Sequence, residues 1–212
     1  MNTGSAPTSR TRGRPRAFDR AAALAKATRL FWEKGFEATS MADLTTAMGI
    51  GSPSLYAAFG SKEALYVETL DYYRDTYQAL IWSNFFAKPT AREALACWLD
   101  DSAAALTGSL VDIPRGCMVT LSAVGSEGYT ELGELVRSAR AVTLARLTER
   151  LQRAADEKEI ATCVDVHALA RFMQTVQSGM SILARDGADR SELDAVARIA
   201  MLGFDARLAH AP

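Results

Sequence analysis

Met48-Gly49-Ile50-Gly51-Ser52-Pro53-Ser54-Leu55-Tyr56-Ala57-Ala58-Phe59-Gly60-Ser61-Lys62-Glu63-Ala64-Leu65 reads as the end of one helix, a tight turn, a short helix and the start of a third. Gly49 suits the left-handed backbone that closes a helix, and Ile50 plugs the turn with an apolar side chain. Ser52 followed by Pro53 reads as an N-cap and a first helical residue. Leu55 and Phe59 share one helical face and pin it to a core. Ser52, Ser54, Tyr56, Ala57 and Ala58 occupy the other. The pattern is a helix-turn-helix that presents its second helix outward.

Such a pattern also occurs as a purely structural helix corner. Two features favour nucleic acid. The outward face carries nothing bulky except one hydroxyl-bearing aromatic, which permits close approach to a duplex. Ser61-Lys62-Glu63 then opens the next helix with a cation beside a helix N-terminus, where the dipole favours anions. An arriving phosphate would be shared by the lysine and the free N–H groups.

From Leu24 to Leu65 the chain resembles the DNA-binding domain of the TetR-type family of bacterial transcriptional regulators. The resemblance rests on Leu30-Phe31, Gly35-Phe36, Thr39, Asp43-Leu44, Gly49-Ile50, Leu55-Tyr56, Phe59 and Ser61-Lys62-Glu63-Ala64-Leu65. Three positions depart from the family pattern: Thr45 replaces an alanine, Gly51 replaces a serine cap whose role Ser52 can take, and Ala58 replaces a common histidine.

The chain has 212 residues, 49% hydrophobic and 23% charged, enough for one or two domains with a sizeable core. No apolar run approaches the roughly 20 residues of a membrane span. The polar N-terminus has no signal-peptide core. Cys97, Cys117 and Cys163 lack metal-ligand spacing, and a reducing cytoplasm is expected. The net charge of −1 conceals an asymmetry. Residues 1–62 carry 9 Lys/Arg and 4 Asp/Glu, whereas 63–212 carry 15 and 21. The positive half holds the helix-turn-helix, as in a nucleic-acid binder.

Residues 1–17 form a basic, Pro-containing arm that is expected to be flexible. Arg12-Gly13-Arg14-Pro15, followed by Arg16, resembles the core of AT-hook peptides, whose arginines follow a narrow minor groove. The arm reads as a minor-groove or phosphate-tracking element, against the alternative of a solubilising tail. Residues 18–62 read as the DNA-binding domain. Its first helix runs from the Asp19 cap to Lys34, and its second starts at the Ser40 cap with Asp43 in a capping box. Residues 63–212 read as a helical ligand-binding and dimerisation domain, starting with a helix from Lys62 to about Trp82. Further helices are expected over 90–107, 116–124, 129–158, 165–185 and from a Ser191 cap to about Leu208. The fold class is therefore all-α, a three-helix N-terminal unit plus a C-terminal bundle, about nine helices in all.

The last two helices are very apolar. Internal packing is one explanation; a two-fold interface between copies, which the resemblance implies, is the other. The second reading assigns Phe172, Val176, Gly179, Met180, Val196, Ala200, Gly203 and Phe204 to the interface. The resemblance also implies a small-molecule effector inside the bundle. Trp98, Met118 and Met173 are the candidates for its wall, although each is also an ordinary core residue. Cys117 is either an inert thiol or a redox sensor. No catalytic motif, metal site or cofactor signature is present.

The expected function is a ligand-responsive, sequence-specific regulator, a repressor more readily than an activator. It would bind a palindromic operator in double-stranded DNA as a homodimer. Thr39, Tyr56 and Lys62 are assigned to phosphates and Ser52, Pro53 and Ala57 to base edges in the major groove, with Ser40 and Ser54 as further DNA-binding residues. The alternatives are a dimeric helical ligand or redox sensor, and an architectural DNA-binding protein that uses the arm.

Overall fold

A computed structural model describes residues 18–125 and 128–210, and among them every regular element is a helix. In chain order these are α1 (Arg20–Lys34), α2 (Met41–Met48), α3 (Ser52–Phe59), α4 (Lys62–Tyr77), α5 (Ala79–Ala87), α6 (Ala91–Leu106), α7 (Met118–Leu121), α8 (Thr130–Asp156), α9 (Val166–Arg185) and α10 (Arg190–Ala209). One more helix is present than the sequence suggests, because the expected 62–82 helix divides at Gln78. That residue keeps α-helical angles, but its carbonyl accepts from both Ile81 and Trp82 N–H groups, a local tightening that offsets α5 from α4.

Capping explains most boundaries. The Asp19 carboxylate accepts from Ala22 N–H to start α1, and Ser40 and Asp43 form a reciprocal capping box on α2. Gly49 closes α2 in the left-handed conformation, at φ 73°. Two caps differ from expectation. Gly51, not Ser52, is the N-cap of α3, so Ser52 and Pro53 are its first two residues. A glycine cap costs only a few tenths of a kcal/mol, and Pro53 lacks an N–H that would have no helical partner there. Asp189, not Ser191, caps α10, because Asp189 and Glu192 exchange hydrogen bonds of 2.8 and 3.0 Å.

Two apolar cores result. The first gathers Phe31, Phe36, Leu44, Leu55, Phe59, Leu65 and Tyr66 from the N-terminal helices, and also Met118, Leu132 and Val136 from α7 and α8. It thus extends past residue 62 and covers a three-helix unit too small to stabilise itself. The Phe36 ring lies between Tyr66 and Tyr129, at centroid distances of 5.0 and 4.9 Å. The second core joins α5, α6, α8, α9 and α10 around Trp98, Leu147, Met173, Met180 and Phe204.

The junction between the two cores is polar and specific. Arg185, at the end of α9, donates to the carbonyls of Trp32, Glu33 and Arg115 at 2.7, 3.0 and 2.9 Å. A cation there complements the negative C-terminal end of α1. Trp32 Nε1 donates to Gly116 O at 2.8 Å. Gly116 has φ +78°, and an added Cβ would lie 2.8 Å from Ser181 O, so no other residue fits without backbone movement.

Candidate nucleic-acid interface

The outward surface of the helix-turn-helix is built from its inner side. Leu55 is fully buried and Phe59 nearly so, which fixes the rotation of α3. Ser52, Pro53, Ser54 and Ala57 are exposed, and Tyr56 is 50% exposed. The C-terminal end of α3 is tied down by Arg20, which donates to Ala58 O at 3.3 and 3.2 Å and pairs with Glu68 at 2.7 Å. The same guanidinium lies over the Phe59 ring at 4.5 Å. Thr45 is accommodated by donating its hydroxyl to Ala42 O at 3.0 Å.

In the first turn of α2, Asp43 receives hydrogen bonds from the Ser40 backbone, the Lys34 ammonium and the Ser40 hydroxyl, which hold its carboxyl at about 2. Ser40 is exposed at the α2 N-terminus. Lys62, at the start of α4, places its ammonium over the Phe36 ring at 4.3 Å, leaving it half-buried. The aromatic face therefore orients the cation.

Thr39 requires a correction. It is fully buried and donates its hydroxyl to Gly35 O at 2.6 Å, so its side chain cannot meet a phosphate. The loop after α1 folds inward around this bond, which sequence spacing alone does not reveal. Arg12, Arg14 and Arg16 lie outside the described residues.

The expected dimer residues divide into two sets. Phe172 and Gly203 are exposed and adjacent, with a Cβ on Gly203 coming within 3.8 Å of the Phe172 ring. Val176, Gly179 and Val196 are half-buried. Met180, Ala200 and Phe204 instead point into the protomer's own core and offer no outer surface. The outer face carries Ile182, Leu183, Ile199 and Leu202, the last two 69% and 68% exposed. Ile199 and Leu202 lie on α10, where large apolar side chains occur on both faces and spacing alone does not choose between them.

A cavity of about 640 Å³ lies beside the junction, between α1, α4, α5 and α6 on one side and α8 and α9 on the other. Trp98 lines it, whereas Met118 belongs to the first core and Met173 is sealed inside the second. Trp32, Tyr73 and Tyr77 form an aromatic wall, with Trp32 edge-on to Tyr73 at 4.8 Å. The Tyr73 hydroxyl donates to Cys117 Sγ at 3.2 Å, and burial pushes the phenol well above its ordinary pKa. Trp32, Tyr73 and Tyr77 escaped the sequence reading because they come from two different helices, α1 and α4, that only the fold brings together.

The family pattern described as bacterial regulatory proteins, tetR family, matches residues 23–69. The chain is 38% identical over 190 residues to the HTH-type transcriptional repressor ComR of Escherichia coli K12, covering 89% of this chain and 90% of the relative. The chain belongs to the tetR family of bacterial regulatory proteins. The HTH-type transcriptional repressor BdcR of the same organism is 34% identical over 192 residues, covering 91% of this chain and 92% of its own. Among solved structures, a cysteine mutant of the TetR family transcriptional regulator CifR, complexed with 26-bp double-strand operator DNA, superposes with a TM-score of 0.83. It is 38% identical, with coverage of 90% of this chain and 98% of that one. Leu55, Phe59 and Arg20 tether α3 from behind and leave its outer face bare. No helix among the described residues is long and apolar enough to cross a membrane.

Proposed function

We propose that the protein is a sequence-specific transcriptional repressor that binds a palindromic operator as a homodimer and is released by a small molecule in the cavity. The observation that carries this reading is the exposed face of α3, where Ser52, Pro53 and Ala57 surround a half-exposed Tyr56 on a helix anchored from behind. Relatives of similar length are named repressors, and a neighbour of the same fold is complexed with operator DNA. Residues 18–62 supply the contacts and residues 63–212 the dimer and effector sites, with the arm at 1–17 following the adjacent minor groove.

Short side chains on α3 favour reading of thymine methyls and groove shape over bidentate hydrogen bonds. Tyr56 and Lys62, with Ser40 at the α2 N-terminus, hold phosphates. The exposed aliphatic face of α9 and α10 supports the two-fold contact, because one recognition helix buries too little surface for specificity. Trp32 of α1 and Tyr73 and Tyr77 of α4 all line the cavity. An effector that displaces this wall moves α1 and α4 and changes the separation of the two α3 helices. Operator half-sites demand a separation of about 34–36 Å or a multiple of it. Release is then limited to the effector's differential affinity for the two separations.

The test is selection from random-sequence DNA at about 0.15 M salt, with Tyr56→Ala in parallel. The expected outcome is a palindrome that the variant enriches at least about tenfold less, a loss near 1.4 kcal/mol, with unchanged thermal unfolding. Enrichment of nothing, or of A·T-rich DNA without symmetry, would reject a sequence-specific dimer.

A further inference from the structure

The charge lining the cavity identifies the chemistry of its occupant. Four arginines (Arg74, Arg140, Arg146 and Arg171) face it, against a single carboxylate, Asp71. Asp71 is already paired with Arg74 at 2.9 Å. The other three guanidiniums form no ion pair with a carboxylate of the described residues. Arg140 donates to the carbonyls of Val119, Thr120 and Ser122. Arg171 donates to Gln174 Oε1 at 3.0 Å, and Gln174 in turn donates to the backbone carbonyl of Arg140 at 3.0 Å, which ties the Arg171 side chain to α8. Arg146 lies over the rings of Trp82 and Phe86 at 4.9 and 5.6 Å, with only a 3.4 Å contact to Gln78 Oε1.

Arg140 and Arg146 are half-buried and Arg171 is exposed, so the cavity is lined by three cations that a bound anion would compensate. Guanidinium forks match the two oxygens of a carboxylate and form hydrogen bonds about twice as strong as neutral ones. The opposite wall is aromatic and aliphatic, so a bare inorganic anion would leave most of it unfilled. Gln177, only 5% exposed, also lines the cavity and has no hydrogen bond to the described residues. Its amide adds a further polar group in a wall otherwise rich in apolar side chains.

We propose that the cavity binds an amphipathic organic monoanion: an aromatic or medium-chain apolar body that ends in a carboxylate. The carboxylate sits among Arg140, Arg146 and Arg171, and the body lies against Trp32, Tyr73 and Tyr77. This deepens the effector reading above and rests on it only for the consequence of binding. All three tryptophans of the chain line this cavity, so intrinsic fluorescence reports its occupancy directly.

The experiment titrates the full chain, free of DNA, with two matched pairs: decanoate against decan-1-ol, and 4-phenylbutyrate against 4-phenylbutan-1-ol. Tryptophan fluorescence and isothermal titration calorimetry are the readouts, with acetate as the bare anion. In at least one pair the acid is expected to bind about tenfold or more tightly than its alcohol, equivalent to about 1.4 kcal/mol, and acetate not at all. Arg146→Met combined with Arg171→Met should bring acid and alcohol within about twofold. Arg140 is left intact because its carbonyl contacts hold α7. Equal binding within both pairs, tighter binding of the alcohols, no binding of either acid, or a preference that survives in the double variant would each overturn the proposal. Operator release is measured separately by fluorescence anisotropy: an acid that binds without releasing DNA supports the ligand class and rejects the release mechanism.

Discussion

The outer face of α3 and the outer face of α9 and α10 are both exposed in the protomer, but they are built on opposite principles. On α3 the large side chains, Leu55 and Phe59, turn inward, and the outside holds serines, alanine, proline and one tyrosine. On α9 and α10 large residues point both ways: Met180 and Phe204 inward, and Ile182, Ile199 and Leu202 outward. A surface that must approach a duplex groove needs small side chains and a polar edge. One that must meet another protein needs apolar area to remove from water, at about 25 cal/mol per Å². Under the proposed function the same exposure has two meanings, and side-chain size separates them.

The sharpest test of this contrast sets the inner face of α10 against its outer face. Phe204→Ala should cost about 3–5 kcal/mol of stability, read from urea unfolding, since the side chain is fully buried in the protomer. Ile199→Asp with Leu202→Asp should instead yield a folded monomer by sedimentation, with operator affinity down at least about 100-fold, near 2.7 kcal/mol. A double variant that stays dimeric would break the assignment of this face. On the DNA side, Lys62→Ala should flatten the dependence of log affinity on log salt by about one unit per subunit, equally for specific and random DNA. A change confined to the preferred sequence would take the lysine off the phosphates.

The smallest effect concerns the cap of α2. Asp43 has a carboxyl held at about 2 by Ser40 and Lys34, below the ordinary carboxylate value. A depressed pKa in the folded state stabilises at pH values above the unfolded pKa, and this support disappears as pH falls through about 2. Asp43→Asn should lower the thermal midpoint slightly near neutrality. It should also show a weaker loss of stability than the wild type between pH ~4 and ~2. Equal acid sensitivity in both would remove Asp43 from the capping network.

Legibility followed the range of the interactions. Gly49, Asp19, Ser40, Asp43 and Asp165 act over three or four residues, and each closes or opens its helix as its chemistry dictates. The two misplaced caps, at Gly51 and Asp189, lie within two residues of a competing cap of similar strength. Thr39 was misread because its hydroxyl turns inward to Gly35, a decision of loop geometry. Of the effector candidates, Trp98 faces the cavity but Met118 and Met173 fill cores, since apolar spacing marks burial without saying which interior receives it.

From its sequence alone this protein was determined to be helical, basic at its N-terminal end and equipped with a helix-turn-helix whose outer face is small. Those properties depend on local capping, helical periodicity and the order of charges along the chain. Tertiary structure decided which face of α10 is free, how Arg185 and Trp32 join α1 to α9 and the Gly116 turn, and that Arg140, Arg146 and Arg171 share a cavity with three tryptophans. Those outcomes depend on contacts between residues far apart in the chain, where packing volume and charge burial decide and periodicity carries no information.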